Sequence, residues 1–395
     1  MTSDSAMNAA RTTAWSERSA SERPLRVLMI DSETTWRGGQ NQLALLLRGL
    51  REHGVQARVA APRNAAVLSS ADMQGFESVP LRMRHGMDVV AAARLAQHLR
   101  RERYDILHCH SSHAHSTAFL ATWPARLGEG KRRDRPRLVV SRRVAFPVSR
   151  YGPAALKYRN ADLFLAISSG VRDVLVDAGV NAAQVTLVPS GIDLEELRSK
   201  RDSQRVRREL GIDPATSVVG TVAALTTNKA VHDLVRAARF VTEQVEDLRV
   251  VIVGEGPARR DLEGLVARFG LQERVMLLGF RSDVLDVLST FDCFVLPSRV
   301  EGLGTSIMDA QVLGVPVVAT RTGGIPDLVE DGDSGLLVPP GAPDLLGGAI
   351  VRMLRDPGLR ARCCERAQRQ ARRYDYRNMV QATLAAYRAL LGAAP

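Results

Sequence analysis

The densest chemistry in the sequence lies in the run Pro297-Ser298-Arg299-Val300-Glu301-Gly302-Leu303-Gly304-Thr305-Ser306-Ile307-Met308-Asp309-Ala310. Glu301 stands at a glycine-flanked turn after an expected strand, and Asp309 follows inside a helix. A helix starting just after Gly302 aims its free N–H groups at an anion or hydroxyl, and two such carboxylates each chelate vicinal hydroxyls. That pairing suggests a sugar, against the alternative of two unrelated surface acids. A second glycine-rich junction, Thr35-Trp36-Arg37-Gly38-Gly39-Gln40, follows the first expected strand and opens a helix. Gly38 and Gly39 let backbone amides approach a phosphate or sugar there, although an ordinary strand-to-helix turn explains them equally well.

Four histidines, His108, His110, His113 and His115, fall within eight residues. Strand alternation sends His108 and His110 to one face, so one reaches the carboxyl end of the strand and can donate a hydrogen bond to a substrate. Zinc would need further ligands in fixed geometry, and Cys109 points to the opposite face, so metal is disfavoured. Asp331-Gly332-Asp333 lies in a turn-forming run where Asp and Gly are ordinary turn residues, and it is disfavoured as a metal site too. Gly254-Glu255-Gly256-Pro257-Ala258-Arg259 begins like a dinucleotide fingerprint, but Arg259 occupies the place of the third glycine, which argues against a nicotinamide enzyme. No metal and no other cofactor is expected.

The elements that must position these residues read as β-branched runs alternating with segments of helical period, the pattern of parallel sheets covered by helices. Expected strands span 25–30, 57–60, 106–109, 138–141, 163–167 and 185–188, then 218–222, 250–253, 275–278, 293–296, 315–319 and 335–338. Helices 42–51, with Leu43, Leu46, Leu47 and Leu50 on one stripe, and 234–242 lie between them. The charged stretch 195–209 reads as a linker, and a last helix at about 378–391 is expected to pack back onto the first half. The fold class is therefore α/β, two Rossmann-like halves with the carboxyl ends of both sheets around one cleft. The domains are expected as a disordered tail 1–24, a first domain 25–195, a second domain 196–377 and a returning helix 378–395.

A chain of 395 residues is too long for one compact core, which agrees with two domains. The formal charge of +11 rests on 50 arginines and only four lysines, and residues 25–195 carry a net +9. A basic face attracts nucleic acid, an anionic bilayer or a phosphorylated substrate, and a solvated arginine-rich surface is an equal alternative. Arg142-Arg143 ends a strand facing the cleft and, with His113, is an acceptor-side candidate, whereas the Lys131-Arg132-Arg133-Asp134-Arg135 loop reads as an exposed connector. Four cysteines without CxxC spacing read as a reducing compartment, residues 1–24 lack the apolar run of a signal peptide, and no stretch is long enough to span a membrane.

The landmarks Gly38-Gly39, His108-Cys109-His110, Val188-Pro189-Ser190-Gly191-Ile192-Asp193, Gly254-Glu255-Gly256-Pro257, Leu278-Gly279-Phe280, the Glu301 block, and Gly314-Val315-Pro316 with Gly323-Gly324-Ile325-Pro326 occur in the order of a known family. The chain resembles the family-4 retaining glycosyltransferases of the GT-B fold from about residue 25 to its last helix. The resemblance implies that Glu301 contacts the donor sugar's hydroxyls and that the backbone of Gly302, Leu303, Gly304 and Thr305 lies against sugar and diphosphate. It implies that Asp309 stands for a ribose-binding glutamate, Lys229 binds the diphosphate, Gly256 lines the donor site, and His110 sits near the reacting carbon. The usual arginine partner of that lysine is here Ala224, in an Ala-Ala-Leu variant read as a subgroup feature, with Thr226, Thr227 and the Gly38-Gly39 backbone as candidate substitutes.

The expected activity is metal-independent, retaining transfer of a sugar from a nucleoside diphosphate sugar, a UDP-sugar, to a cell-envelope glycan or glycolipid. The expected partners are that nucleotide sugar and an anionic or lipid-linked acceptor, with the protein cytoplasmic and at the inner membrane face. Two alternatives remain: a nucleotide-sugar epimerase on the same fold, and an inactive nucleotide-binding regulator suggested by Ala224 and Asp309. Nucleic acid is disfavoured because no aromatic and basic residues interleave. The oligomeric state, the donor nucleotide and the acceptor's identity are not legible in the sequence.

Overall fold

The computed structural model describes residues 23–73, 75–127, 135–199 and 201–392. Residues 1–22 of the expected tail, and Lys131 to Asp134 of the basic connector, lie outside the described residues.

Strands β1 (Arg26–Ile30), β2 (Gln56–Ala61), β3 (Glu77–Pro80), β4 (Ile106–Cys109), β5 (Arg137–Arg142), β6 (Leu163–Ala166) and β7 (Val185–Leu187) form one sheet. Their order is β3-β2-β1-β4-β5-β6-β7, with every neighbouring pair parallel. A second parallel sheet takes β8 (Ser217–Val222), β9 (Leu248–Val253), β10 (Val275–Gly279), β11 (Cys293–Leu296), β12 (Val317–Thr320) and β13 (Leu336–Val338) in the order β10-β9-β8-β11-β12-β13. Both are doubly wound, and each has its topological switch point where the first strand meets the fourth. Those points are β1 beside β4 and β8 beside β11.

Burial explains the strand sequences. In β4, β6, β11 and β12 every residue is buried, because helices cover both faces, so the runs are apolar without alternation except for His108 in β4 and Thr320 at the end of β12. The edge strand β3 is the exception that sequence reading missed. Its Glu77-Ser78-Val79-Pro80 is neither apolar nor β-branched overall, and its terminal proline is tolerated only because one side of the strand is unpaired.

The Gly38–Glu52 helix buries Leu43, Leu46, Leu47 and Leu50 against the first sheet. The last helix, Tyr376–Leu391, lies on its outer side, so closely that a Cβ on Gly49 would sit 2.4 Å from Val380 Cγ2. Of the stretch read as a linker, Leu194–Arg198 and Ser203–Glu209 are helical, each started by an aspartate whose side chain accepts from backbone N–H groups. Two of its arginines are paired with the second half, Arg205 with Asp283 at 2.7 Å and Arg207 with Asp292 at 3.3 Å.

Candidate active site

The carboxyl ends of the two sheets meet across a cleft. Ser168 Oγ, at the end of β6, donates to the Gly302 carbonyl at 2.6 Å. The Ser169 backbone N–H and hydroxyl both donate to Asp327, at 2.7 and 2.5 Å. Gly302 itself abuts the other half: a Cβ there would lie 2.1 Å from the Arg143 carbonyl oxygen. Glycine at 302 is therefore a condition for the halves to close, in addition to any contact it makes with a ligand.

Glu301 sits beyond β11 and is 8% exposed. Its Oε2 accepts from Ser298 Oγ at 3.0 Å and is ion-paired with Lys229 Nζ, while Oε1 has no hydrogen-bond partner among the described residues. Lys229 comes from the short turn Thr227–Lys229, fastened to the Glu301 loop by Arg299 N–H donating to the Asn228 carbonyl at 2.8 Å. The next residue, Ala230, has φ of 48°, the left-handed region that an L-residue enters at a cost of about 1–2 kcal/mol. That bend turns the chain from the lysine into the Val231–Gln244 helix, and it is the kind of local strain found beside functional residues.

Two helix amino termini converge here. The Thr305–Val312 helix begins at Gly304, with φ of 93° and no side-chain cap, and the Gly38–Glu52 helix begins at an extended Arg37, also without one. A Cβ on Gly38 would lie 3.8 Å from Thr305 Oγ1. The unpaired first-turn N–H groups of both helices, each carrying a partial positive charge, thus point into one space. Gly256 packs its backbone against the Ala223-Ala224-Leu225 segment, where a Cβ would fall 2.3 Å from the Leu225 carbonyl, and Ala224 itself is exposed.

His110 follows β4 and is buried against β1. Arg143 Nη1 lies 3.1 Å from its Nδ1; a guanidinium only donates, so Nδ1 accepts and the ring proton is on Nε2, which points at Met29 Sδ at 3.3 Å. The His108 ring lies against it, tilted by 41°, with ring centroids 4.1 Å apart. Burial, then the neighbouring His108 and Arg143 charges, hold His110 well below the usual histidine range, and burial followed by Arg143 does the same to His108. Burial lowers Arg143 to about 10, partly offset by Asp31 and Tyr387, so it remains a cation at neutral pH.

The other candidates separate. Arg142 donates to Tyr158 Oη at 2.9 Å and to the Phe146 carbonyl at 2.8 Å, bracing the connection after β5 instead of joining the His110 cluster. His113 is exposed at the start of the Ser112–Leu127 helix. The Asp309 carboxyl makes no side-chain hydrogen bond among the described residues, and burial, with a smaller contribution from Glu196, raises it to about 7. Asp331 and Asp333 are engaged by Arg321 at 2.7 Å and Arg366 at 2.8 Å. Among the described residues no three His, Cys, Asp or Glu side chains gather to hold a metal ion.

Two residues at this site escaped sequence reading. Asp31, fully buried at the carboxyl end of β1, accepts from Gln40 Nε2 at 2.8 Å and contributes charge facing Arg143. Its position at the first switch point is the signal that could have found it. Tyr387 Oη lies 2.6 Å from His108 Nδ1, and no local pattern links the two.

Comparison with known proteins agrees with the geometry. A family model described as Glycosyltransferase Family 4 matches residues 36–196, and one described as Glycosyl transferases group 1 matches 202–370. The chain belongs to the family-4 glycosyltransferases. Within the family it is similar to the alpha-D-kanosaminyltransferase of Streptomyces kanamyceticus, 37% identical over 44% of each chain. It is also similar to the N-acetyl-alpha-D-glucosaminyl L-malate synthase of Bacillus anthracis, 28% identical over 71% of this chain and 73% of that one. The chain spans about half the length of the first of these relatives and of a D-inositol 3-phosphate glycosyltransferase from Corynebacterium urealyticum. Anabaena HepE, solved with UDP and glucose, shares the fold with a TM-score of 0.80 over 92% of this chain and all of that one, at 23% identity. The two facing parallel sheets are thus the GT-B architecture.

Proposed function

We propose that this glycosyltransferase moves a sugar from a UDP-sugar to an anionic or lipid-linked glycan acceptor of the cell envelope, with retention of configuration and without a metal. The observation that carries the reading is the Lys229–Glu301 pair placed beside two uncapped helix amino termini, Gly38 and Thr305. Glu301 Oε1 accepts from donor-sugar hydroxyls, and Lys229 with the N–H groups of both helices stabilises charge on the departing diphosphate. Asp309 accepts from the ribose, and Gly256 holds the donor loop close. His110, neutral, presents Nε2–H toward the reacting carbon once Met29 is displaced as its partner.

Retention is read as same-face attack with the departing phosphate as base. The acid at the end of β1, Asp31, is buried and engaged by Gln40, which suits a supporting charge better than a nucleophile for double displacement. The donor class is supported by HepE, solved with UDP and glucose, and the acceptor class by the similarity to an Escherichia coli enzyme named UDP-Gal:alpha-D-GlcNAc-diphosphoundecaprenol alpha-1,3-galactosyltransferase. Such an acceptor places the protein in the cytoplasm, at the inner face of the membrane.

A thermal-shift screen of UDP, GDP, ADP and their sugars tests the donor, because a ligand of the folded state raises the melting temperature by mass action. UDP and a UDP-sugar are expected to stabilise, and donor hydrolysis or transfer to follow. Absence of both binding and turnover with every sugar nucleotide overturns the proposal. Ala224 favours one second reading, a nucleotide-binding homologue without turnover, since one missing cation at the leaving group costs about 2–4 kcal/mol of transition-state stabilisation. Tight nucleotide binding with no transfer across an acceptor panel would select it.

A further inference from the structure

The last residue of β5 and the one after it are both arginines, and as neighbours on an extended chain they take opposite faces of the first sheet. Arg142 uses Nη1 on Tyr158 Oη and Nη2 on the Phe146 carbonyl, and its Nε is sealed from solvent. Arg143 has one hydrogen bond, Nη1 to His110 Nδ1 at 3.1 Å, and no ion pair among the described residues. Its Nε and Nη2 have no partner there either, and unlike the Nε of Arg142 they are open to solvent.

This is an unusual state for a cation. Burial is deep enough to bring the guanidinium down to about 10, and charged side chains are rarely taken that far out of water without a counter-ion. Asp31 offsets the burial by its charge but directs its oxygens elsewhere, Oδ2 to Gln40 Nε2 at 2.8 Å and Oδ1 to the Glu33 N–H at 3.5 Å. Tyr387 keeps its proton, because burial raises its phenol far above the ordinary value. No carboxylate among the described residues closes on Arg143.

The same residue stands where the two halves meet. Its carbonyl oxygen would lie 2.1 Å from a Cβ on Gly302, so its backbone rests on the loop that carries Glu301, while its side chain rests on His110. On the opposite wall Lys229 is already ion-paired with Glu301, and the Ala223-Ala224-Leu225 segment brings no charge. With Nη1 on the imidazole, the Nε and Nη2 edge of the guanidinium presents two parallel N–H groups, the fork that meets two oxygens of one phosphate.

We propose that Arg143 is a phosphate-binding residue of the donor site, its Nε and Nη2 edge receiving the β-phosphate of the UDP moiety while Nη1 holds His110. This rests on the reading of the donor as a UDP-sugar. When the anomeric C–O bond breaks, its electron pair stays on the β-phosphate oxygen; the acceptor oxygen bonds the carbon, and the acceptor's proton passes to that phosphate. Until it takes the proton the leaving group carries one more negative charge, and a cation already in place stabilises it. Lys229 and Arg143 then grip the diphosphate from different halves.

Calorimetric titration of the full chain with UDP, and with UMP, which lacks the β-phosphate, tests it. Arg143→Met should weaken UDP at least about tenfold and leave UMP within about twofold of wild type, since the charge-assisted fork is lost only where a β-phosphate is present. Acceptor-free hydrolysis of the UDP-sugar that stabilises the wild type should fall about a hundredfold. Arg143→Lys keeps the charge and loses the fork, so it should recover part of the UDP affinity. Repeating the titrations in a His110→Ala background separates direct contact from orientation of the ring, and Arg143→Met should weaken UDP by the same factor there. If that factor disappears without His110, Arg143 only positions the histidine and the proposal fails. Unchanged UDP affinity and hydrolysis with a raised KM for a phosphorylated acceptor would assign the fork to the acceptor and overturn it, as would equal weakening of UDP and UMP. A wild type that binds no sugar nucleotide sinks the proposed activity and this assignment together, whereas UDP bound equally by wild type and Arg143→Met sinks the assignment alone.

Discussion

Tyr387, on the last helix, places its hydroxyl 2.6 Å from Nδ1 of His108 on β4, so the end of the chain reaches back under the first switch point. His108 Nε2 lies 2.8 Å from Ser141 Oγ, and its ring packs at a tilt against His110. Burial raises the Tyr387 phenol far above its ordinary value, so it keeps its proton and donates to Nδ1, leaving Nε2–H for Ser141. The returning helix thereby fixes the ring on which His110 rests.

Tyr387→Phe removes one buried hydrogen bond and leaves Nδ1 of His108 unpaired, a loss of about 1–3 kcal/mol. The expected result is a lowered melting temperature together with a fall in kcat at nearly unchanged KM for the donor, because His110 would be less well oriented while the Glu301 side is untouched. Steady-state kinetics beside calorimetry checks it. A loss of stability with wild-type kcat would make Tyr387 a packing residue only.

Acid should find the two imidazoles first. Unfolded histidine titrates near 6.5, and both folded rings are held well below that, so the unfolded chain binds protons that the folded protein refuses. Their contribution is complete above about 6.5 and is lost as pH falls from there toward the depressed folded values. Urea unfolding midpoints should drop between pH 7.5 and 5.5 in the wild type, and drop less in His108→Gln. Equal pH dependence in the two proteins would refute the assignment.

Gly302→Ala tests the closure of the halves. The new Cβ would sit 2.1 Å from a backbone carbonyl, so the Arg143 segment or the Glu301 loop must move, and the Ser168 and Ser169 contacts go with it. Activity should fall about a hundredfold, the scale of a 1 Å misplacement of reacting groups. Gly348→Ala is the control: it lies within the Pro343–Arg355 helix with nothing within 4 Å, and should gain about 0.5–1 kcal/mol of stability. Solution scattering should show a more open molecule for the first variant alone.

Legibility followed the range of each constraint. Strand β11 is recovered residue for residue because a strand buried on both faces reads as a continuous apolar run, a local signal, and β4 is recovered likewise although His108 interrupts its run. β3 was invisible because its identity comes from pairing with β2, which Glu77-Ser78-Val79-Pro80 does not advertise. In the site, the glycine spacing around Glu301 announced a turn feeding a helix. Lys229 was reachable only through family resemblance, since nothing near it in sequence says that its ammonium meets Glu301. Tyr387 lies 279 positions from His108 and Asp31 looked like any strand-end acid, so only the assembled topology gives either one a partner.

Lys229→Ala leaves Glu301 with Ser298 as its remaining partner, a nearly buried carboxylate stripped of its cation. Both ligand and protein then suffer: UDP affinity should weaken by a factor of about 30 or more, equivalent to about 2 kcal/mol, and the protein should lose stability. Glu301→Gln should behave differently. It keeps the shape and frees the lysine, so UDP binding should hold while affinity for the intact UDP-sugar and kcat fall. Calorimetric titration with UDP and UDP-sugar separates the two, and identical losses for both ligands in both variants would dissolve the division of labour.

Asp309 carries the clearest pH signature in the second half. Burial, then Glu196, raises its carboxyl from an ordinary 3.8 to about 7, so the folded protein retains a proton that the unfolded chain releases near 4. Stability from this group is complete below about 4, declines as pH rises through about 7, and is flat beyond. Asparagine has the same shape and no charge at any pH. Asp309→Asn should therefore match the wild type in thermal stability only below about pH 4 and exceed it by more near pH 8 than near pH 5. Nucleotide binding should run the other way, because an ionised carboxylate accepts from both ribose hydroxyls and an amide does so poorly. The variant should lose UDP affinity relative to wild type at pH 8 and much less at pH 5. If affinity falls equally at both values, Asp309 binds the ribose in its protonated form or does not bind it.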